Sequence, residues 1–238
     1  MGSIAGSKKL KRQMAPLFWG IHRKNKRFVI TVMPGSHPKN SSIPTAVLLR
    51  DVLNVVTTLR EAKSVIYNGK VIVDGIIRKS LHHSIGLMDV VELQGVSDVY
   101  RLVPTHGHTL QPIKIETDEK SKKLVKVTSK TTIKGKKTQL GFHDGRTIIA
   151  ENDVNVGDSC LIQIPEQKIL DVIKLEKDSL VIVTRGINTG QVGHVNSINK
   201  ATFTLSKRIN LTIDKKKFEM PADLVIAVGK EKPVIQIR

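Results

Sequence analysis

The sequence predicts an α+β protein of several small domains that becomes mostly β toward its C-terminus. Residues 43–103 combine two segments of helical periodicity with the signal for a β-hairpin. After residue 104, short runs of β-type residues alternate with Gly, Asn and Asp turns, which is typical of small antiparallel barrels. The first 50 residues differ from both parts because they carry ten basic residues and no acidic one. We therefore expect a basic N-terminal arm, a helix–helix–hairpin unit and then β domains.

The charge balance points to a polyanionic partner. The chain has 238 residues, 39 Lys and Arg against 21 Asp and Glu, and a formal net charge of +18. Such an excess destabilises a compact chain by self-repulsion, and nucleic acid relieves it by binding with release of counterions. No apolar run reaches the roughly 18 residues of a membrane span, so no membrane partner is expected. The single cysteine, Cys160, offers neither an internal disulfide nor a thiolate cluster for zinc.

Residues 1–42 are predicted to form an extended basic arm that folds against a partner. A solvated tail rarely carries Phe18, Trp19 and Ile21 among its charges, which favours the arm. Lys and Arg would neutralise phosphates, and Trp19 and His22 could stack on unpaired bases. Packing of Trp19 on the chain's own domain is the alternative, and both roles stay open at this point. The candidate RNA contacts in the arm are Lys8, Lys9, Lys11, Arg12, Trp19, His22, Arg23, Lys24, Lys26 and Arg27.

The next segment predicts two helices and a hairpin. Apolar residues recur at helical spacing after Pro44-Thr45, and a second helix is predicted from about Leu59 to Asn68. Gly69 ends it, because glycine supplies the left-handed conformation of a helix stop. A short strand, a tight Asp74-Gly75 turn and a returning strand follow, and a last strand closes the unit near Leu93.

Residues 50–75, RDVLNVVTTLREAKSVIYNGKVIVDG, resemble the S4 RNA-binding domain, a helix–helix–hairpin module of ribosomal proteins and some RNA-modifying enzymes. In that module the two helices present a basic face to RNA. The second helix of the module usually begins with Ser-Arg, whereas this chain has Thr58-Leu59 and places Arg60 one position later. The RNA contacts that the resemblance implies are Arg50, Arg60, Lys63, Lys70 and Arg78.

Residues 181–195, VIVTRGINTGQVGHV, resemble the KOW motif, which lies in a small SH3-like barrel of ribosomal proteins and transcription elongation factors. Gly186, Gly190 and Gly193 are expected to allow positive φ angles and a close approach of the backbone to a partner. Thr189 stands where many such motifs carry a basic residue, so Arg185 is the RNA contact predicted here.

Three further segments, KKLKRQMAPLFWGIHRK, PGSHPKNSSIP and LLRDVL, are similar to the N-terminal region of the small-subunit ribosomal protein family S4e of archaea and eukaryotes. The resemblance implies a structural constituent of the ribosome in the cytoplasm, with small-subunit rRNA and neighbouring ribosomal proteins as partners. It implies no cofactor and no small-molecule substrate. The expected domains are the arm (1–42), the S4-like domain (43–103), a central β domain (104–172) and an SH3-like KOW barrel with the C-terminal tail (173–238), with a linker near 166–177.

The sequence does not predict an enzyme. It contains no nucleophile elbow, Walker pattern or paired-carboxylate motif, and the glycines at 186–193 are not followed by a helix as a dinucleotide fingerprint requires. His106 and His108 have no acidic or cysteine partner at a metal-site spacing. Two alternatives remain: a KOW-containing transcription or translation factor, and an S4-domain RNA-modifying enzyme without a visible catalytic domain.

Overall fold

The structure is a computed structural model and describes residues 9–106, 108–150, 154–213 and 216–237. Within these residues the chain is mostly β, with two helices near the N-terminus and three five-stranded antiparallel sheets. The predicted change from a helical unit to β structure is therefore confirmed.

The basic arm is folded onto the body of the same chain. Strand β1 (Leu10–Lys11) pairs with β2 (Phe28–Val29), and the loop between them contains two short 3-10 turns. Trp19 is 0% exposed, and its indole N–H donates to the carbonyl oxygen of Ser42 at 2.8 Å. Leu10, Ala15, Trp19, Ile21 and Val29 share one core with the helices and the first sheet.

The two helices follow β3 (Ser42–Pro44). Helix α1 (Thr45–Val47) continues as a π-helical turn over Leu48–Val52, and α2 covers Leu59–Tyr67. Thr58 and Glu61 form a capping box at the start of α2, in which each side chain accepts from the other's backbone N–H. Gly69 has a φ of 73° after the last turn, as predicted for a helix stop.

The first large sheet has the strand order β5-β4-β7-β8-β9. The predicted hairpin is present: β4 and β5 pair with each other, and Asp74 and Gly75 in the turn between them have positive φ angles of 52° and 74°. Strands β8 and β9 extend the sheet past residue 104, where the sequence predicted a new domain. The strands after the helices are β4 (Val71–Val73), β5 (Ile76–Ile77), β6 (Ser84–Gly86, paired with β3), β7 (Val90–Leu93), β8 (Val99–Thr105) and β9 (His108–Ile115).

The second sheet has the order β12-β11-β10-β13-β14 and forms a separate core with Val125, Leu140 and Ile162. Its last strand occupies much of the segment predicted as a linker near 166–177, so that prediction is wrong: the apolar residues of this segment pair with β13. The strands are β10 (Lys122–Thr132), β11 (Thr138–Phe142), β12 (Thr147–Ala150), β13 (Ser159–Gln163) and β14 (Lys168–Ile173).

The third sheet has the order β18-β17-β16-β15-β19. Gly190, in the turn after β15, has a φ of 78°, and a Cβ there would collide with the backbone of Thr105. The glycine thus permits close packing of this turn on the first sheet of the same chain, whereas the sequence predicted a close approach to a partner. Gly193 does not have the positive φ angle that was expected for it, because it lies within a strand. The strands are β15 (Leu180–Val183), β16 (Val192–Asn199), β17 (Arg208–Ile213), β18 (Lys216–Pro221) and β19 (Val225–Gly229).

A buried lysine joins the first two sheets. Lys123 of β10 is 1% exposed, and its Nζ lies 2.6 Å from Asp89 Oδ1, 2.7 Å from Asp74 Oδ2 and 3.0 Å from Asp144 Oδ2. Asp74 and Asp89 flank strands of the first sheet, whereas Asp144 lies in the β11–β12 turn. Burial alone would lower the pKa of Lys123, but the three carboxylates outweigh it and raise that pKa.

The same cluster reaches the arm and a second cation. His37 Nε2 lies 3.1 Å from Asp89 Oδ1. Arg146 contacts Asp74 Oδ2 at 2.6 Å and Asp144 Oδ2 at 3.2 Å. Burial would raise the pKa of Asp89, but Lys123 and His37 hold it well below its usual value. We call Lys123, Arg146, His37 and the three aspartates the ionic joint, because they connect the arm, the first sheet and the second sheet.

Two more buried cations connect the C-terminal part. Lys126 Nζ donates to the carbonyl oxygens of Ala222 (2.7 Å), Val225 (2.8 Å) and Asp223 (3.1 Å), and burial lowers its pKa to about 8. Arg101 is fully buried and donates to Glu119 Oε2 at 2.6 Å and to the carbonyl oxygens of Lys122 and Gln236. Both buried side chains have their charged donors directed at acceptors within the chain, most of which are backbone carbonyl oxygens.

We expect the stability of the folded chain to fall between pH 6.5 and pH 4 because of His143. Its Nδ1 accepts from the Lys126 N–H at 3.1 Å, so the ring is neutral and Nε2 donates to the Leu87 carbonyl at 3.2 Å. Burial lowers the pKa of His143 to about 4. Below about pH 6.5 the unfolded chain therefore binds a proton that the folded chain does not, and stability falls by up to roughly 1.4 kcal/mol per pH unit.

Urea unfolding at pH 7 and pH 5 measures this loss, and His143→Gln should reduce it. The glutamine retains a donor and an acceptor but does not titrate. An unchanged pH dependence in the variant would show that other groups cause the loss.

Candidate nucleic-acid interface

Most of the predicted RNA contacts lie at the surface. In the arm these exposed residues are Lys9, Lys11, His22, Lys24, Lys26 and Arg27, and elsewhere they are Arg60, Lys63, Lys70 and Arg185. Arg23, Arg50 and Arg78 are half-buried. Lys8 lies outside the described residues.

Arg12 and Trp19 are core residues, which corrects their prediction as RNA contacts. Arg12 is 5% exposed, and its guanidinium donates to the carbonyl oxygens of Lys26 (Nε, 2.9 Å) and His22 (Nη1, 3.2 Å). Trp19 has no exposed ring face for a base to stack on. Packing on the chain's own domain, the alternative that the sequence left open, is therefore the observed arrangement for Trp19.

Arg23 also closes the loop of the arm from within. Its Nη1 donates to the Gln13 carbonyl at 2.7 Å and its Nη2 to the Ala15 carbonyl at 3.1 Å. Arg12 and Arg23 together hold the segment between β1 and β2 in one conformation. The exposed cations of that segment, Lys24, Lys26 and Arg27, are thereby displayed on an ordered loop.

The arm and the helical unit meet at an open cavity of about 420 Å³. Lys26 and Arg50 are among its lining residues, together with Thr57 and Thr58 at the start of α2. Arg50 forms a two-pronged ion pair with Asp51, at 2.6 Å and 3.2 Å, so its charge is largely compensated within the chain. The structure thus brings predicted residues of the arm and the helical unit to one surface, on which Lys26 has the more available charge.

The outer side of α2 forms a second part of this surface. Arg60, Lys63 and Tyr67 are three and four positions apart, so they lie on one side of the helix. Lys63 Nζ lies 5.4 Å from the centre of the Tyr67 ring, and Tyr67 is 50% exposed. We call these three residues, together with the exposed Lys70 that follows the helix stop, the α2 face.

Tyr67 was not among the sequence candidates. Its spacing from Lys63 on the predicted helix is the signal that could have identified it. An exposed ring beside cations is suited to stacking on an unpaired base.

Arg185 lies apart from these residues. It is exposed in the turn after β15 and lines a different cavity of about 520 Å³, together with Lys126, His143 and Lys207. This cavity lies where the arm and the second and third sheets meet. The sequence candidates therefore fall into two regions of the molecule.

The described part of the chain contains no cluster of three His, Cys, Asp or Glu side chains that could hold a metal ion. Cys160 is buried, and burial raises the pKa of its thiol to about 11. None of the helices in that part is long and apolar enough to cross a membrane. The geometry defines a basic, mostly β scaffold whose exposed cations are suited to a polyanion.

Comparisons with known proteins identify the family. Residues 5–40 match the RS4NT (NUC023) domain, and residues 96–169 match Ribosomal family S4e. The whole chain is 39% identical to small ribosomal subunit protein eS4 of Methanothermobacter thermautotrophicus and 38% identical to that of Methanosphaera stadtmanae, in each case over 98% of the relative. The chain belongs to the ribosomal S4e family.

A solved structure has the same fold. The 30S ribosomal protein S4e from Thermoplasma acidophilum matches with a TM-score of 0.70 and 31% sequence identity, over 81% of this chain and 97% of that one.

We expect Arg12 and its neighbour Lys11 to differ in their contributions to stability. Arg12→Gln should lower the free energy of unfolding by roughly 2–4 kcal/mol, because it removes a buried guanidinium and its charged hydrogen bonds to two partly buried carbonyl oxygens. Lys11→Gln should change it by less than about 0.5 kcal/mol, because Lys11 is exposed. Urea unfolding followed by the fluorescence of Trp19, the only tryptophan, measures both. Equal stability of the two variants would mean that the Arg12 contacts do not stabilise the arm.

Proposed function

We propose that this protein is a structural component of the small ribosomal subunit, where it binds and stabilises small-subunit rRNA and contacts neighbouring ribosomal proteins in the cytoplasm. The observation that carries the proposal is identity along the whole chain to proteins named as small-subunit components. The net charge of +18 supports the same conclusion, since it needs a polyanion for compensation. The relatives favour this function over a KOW-containing factor and over an RNA-modifying enzyme.

The domain assignments belong to this proposal. The order of α1, α2 and the β4–β5 hairpin supports an S4-like domain beginning near residue 43. The β15–β16 hairpin, with positive φ angles at Gly186 and Gly190, supports a KOW motif within an SH3-like barrel. The central β domain would lie between them, although its N-terminal boundary falls within β8.

The proposed RNA contacts are the exposed cations of the arm, with Arg23 beside them, and the α2 face, with Arg50 and Arg78 nearby and Arg185 as a separate contact. Lysines and arginines of this kind bind phosphates and recognise the shape of RNA more than its sequence. Tyr67 supplies a ring for stacking within the α2 face.

The protein would act by preorganisation. Arg12, Trp19 and the ionic joint fix the arm and the helical unit before RNA arrives, so fewer groups lose freedom on binding. Release of condensed counterions then drives association, and the bound protein holds its RNA segments in one arrangement. No catalytic step is involved.

Neutralising the α2 face should weaken RNA binding. We expect Arg60→Gln/Lys63→Gln/Lys70→Gln to lower affinity for transcribed small-subunit rRNA of Methanothermobacter thermautotrophicus by about 10- to 100-fold at low salt. The slope of log K against log salt should fall by about 2, because each lost phosphate contact removes roughly 0.7 to 0.9. Filter binding over a salt series measures both quantities.

The matched control removes three exposed lysines of the β14 region, as Lys168→Gln/Lys174→Gln/Lys177→Gln. If the two triple variants lose the same affinity, the α2 face is only part of a diffuse positive surface. If the unmodified protein shows no salt-dependent binding to this rRNA, the proposed function itself is wrong.

A further inference from the structure

Strand β10 changes character halfway along its length. Residues 123–127 are buried, whereas residues 128–132 are exposed, as are Lys134, Gly135, Lys136 and Lys137 in the turn that follows. Ile133 donates its N–H to the Lys137 carbonyl at 2.9 Å and closes the turn. We call residues 128–137 the lysine hairpin. None of its residues was a sequence candidate for RNA binding, although a concentration of lysines is visible there.

The lysine hairpin carries charge that the described part of the chain does not compensate. It contains Lys130, Lys134, Lys136 and Lys137, and no acidic residue occurs between Glu119 and Asp144. The surface lysines that do form ion pairs within the described residues lie elsewhere, as Lys114 with Asp98, Lys120 with Glu92 and Lys168 with Glu166. The four hairpin lysines take part in none of the described ion pairs.

The tip of the hairpin keeps a lysine where the backbone favours glycine. Gly135 and Lys136 have φ angles of 83° and 56°. The left-handed conformation strains a residue with a Cβ, so Gly at position 136 would suit the turn better. Such strain often marks a functional position. Lys136 instead supplies an exposed charge within the turn.

The composition of the hairpin distinguishes RNA from a protein as its partner. Its other side chains are mainly hydroxyls, from Thr128, Ser129, Thr131 and Thr132, and its one apolar residue, Ile133, is half-buried. Protein interfaces are depleted in lysine and depend on buried aromatic or aliphatic anchors. Lysine with Ser and Thr hydroxyls is the set that contacts RNA phosphates and 2′-hydroxyls.

We infer that the lysine hairpin is a further RNA-binding site, separate from the arm and the α2 face, and that it contacts the phosphate backbone of small-subunit rRNA. The inference rests on the proposed function and adds to it a contact from the second sheet. Because the ionic joint fixes that sheet to the helical unit, the two sites are held at a set separation and bind one RNA together.

The variant Lys136→Gly tests RNA binding without destabilising the fold. It removes one charge and relaxes the backbone, so the melting temperature should stay the same or rise while affinity for the Methanothermobacter small-subunit rRNA falls about 2- to 5-fold at low salt. The matched control is Gln167→Gly, which relaxes an exposed residue at a φ of 61° in the β13–β14 turn without changing the charge. The control should keep the affinity of the unmodified protein.

The full test is Lys130→Gln/Lys134→Gln/Lys136→Gly/Lys137→Gln over a salt series. The slope of log K against log salt should fall by about 3, because four phosphate contacts are lost at roughly 0.7 to 0.9 each. If the unmodified protein binds and the α2-face variant is weakened, but the hairpin variants keep the normal slope, the inference is overturned and the proposed function stands. The inference would also be overturned if the hairpin variants bound the rRNA with normal affinity but no longer bound a neighbouring ribosomal protein. Absence of rRNA binding by the unmodified protein instead contradicts the proposed function.

Discussion

The fold depends on one buried ammonium group. Lys123 lies among Asp74, Asp89 and Asp144, and these carboxylates come from two sheets. An uncompensated charge of either sign would be costly in this interior, so each part of the joint requires the others. Arg146 supplies the second cation and His37 extends the network to the arm. The relative position of the arm, the helices and the second sheet thus follows from electrostatic compensation as well as from apolar packing.

Buried cations also connect other parts of the chain. Lys126 fixes the β18–β19 connection through three carbonyl oxygens, and Arg101 fixes the C-terminal segment through Glu119 and Gln236. A protein with a net charge of +18 therefore keeps a few cations inside as connectors and displays the rest. The buried cations fix the relative positions of the parts of the chain. The exposed cations would then bind RNA phosphates at positions that this arrangement sets.

Local features of the sequence were sufficient for the local structure. The apolar spacing of α2, the helix stop at Gly69 and the Asp74-Gly75 turn each follow from short-range rules that tertiary packing did not override. The resemblance to the S4e family likewise depended on contiguous segments, and the whole-chain relatives confirm it. The change from helical to β patterning near residue 104 does not mark the end of a sheet, because β8 passes through that residue and pairs with β9.

The roles of individual cations could not be predicted in this way. Lys123 and Lys130 lie on one strand within one lysine-rich segment, yet the first is buried and the second exposed. Which lysine turns inward is decided by aspartates 34 and 49 positions away in the chain. Arg12 and Trp19 were misassigned for the same reason, since an arm that folds on its own body and an arm that enters RNA have the same composition.

A comparison of the unfolding of Lys123→Met with that of Lys122→Met tests the central role of the ionic joint most directly. Lys122 is the exposed neighbour on the same strand, so the two variants remove the same charge from the sequence. Urea unfolding would be followed by Trp19 fluorescence for the arm and by far-UV circular dichroism for the sheets. Loss of the buried cation should cost about 3–5 kcal/mol and separate the two transitions, while Lys122→Met unfolds like the unmodified protein. Equal stability and coincident transitions in both variants would contradict the account.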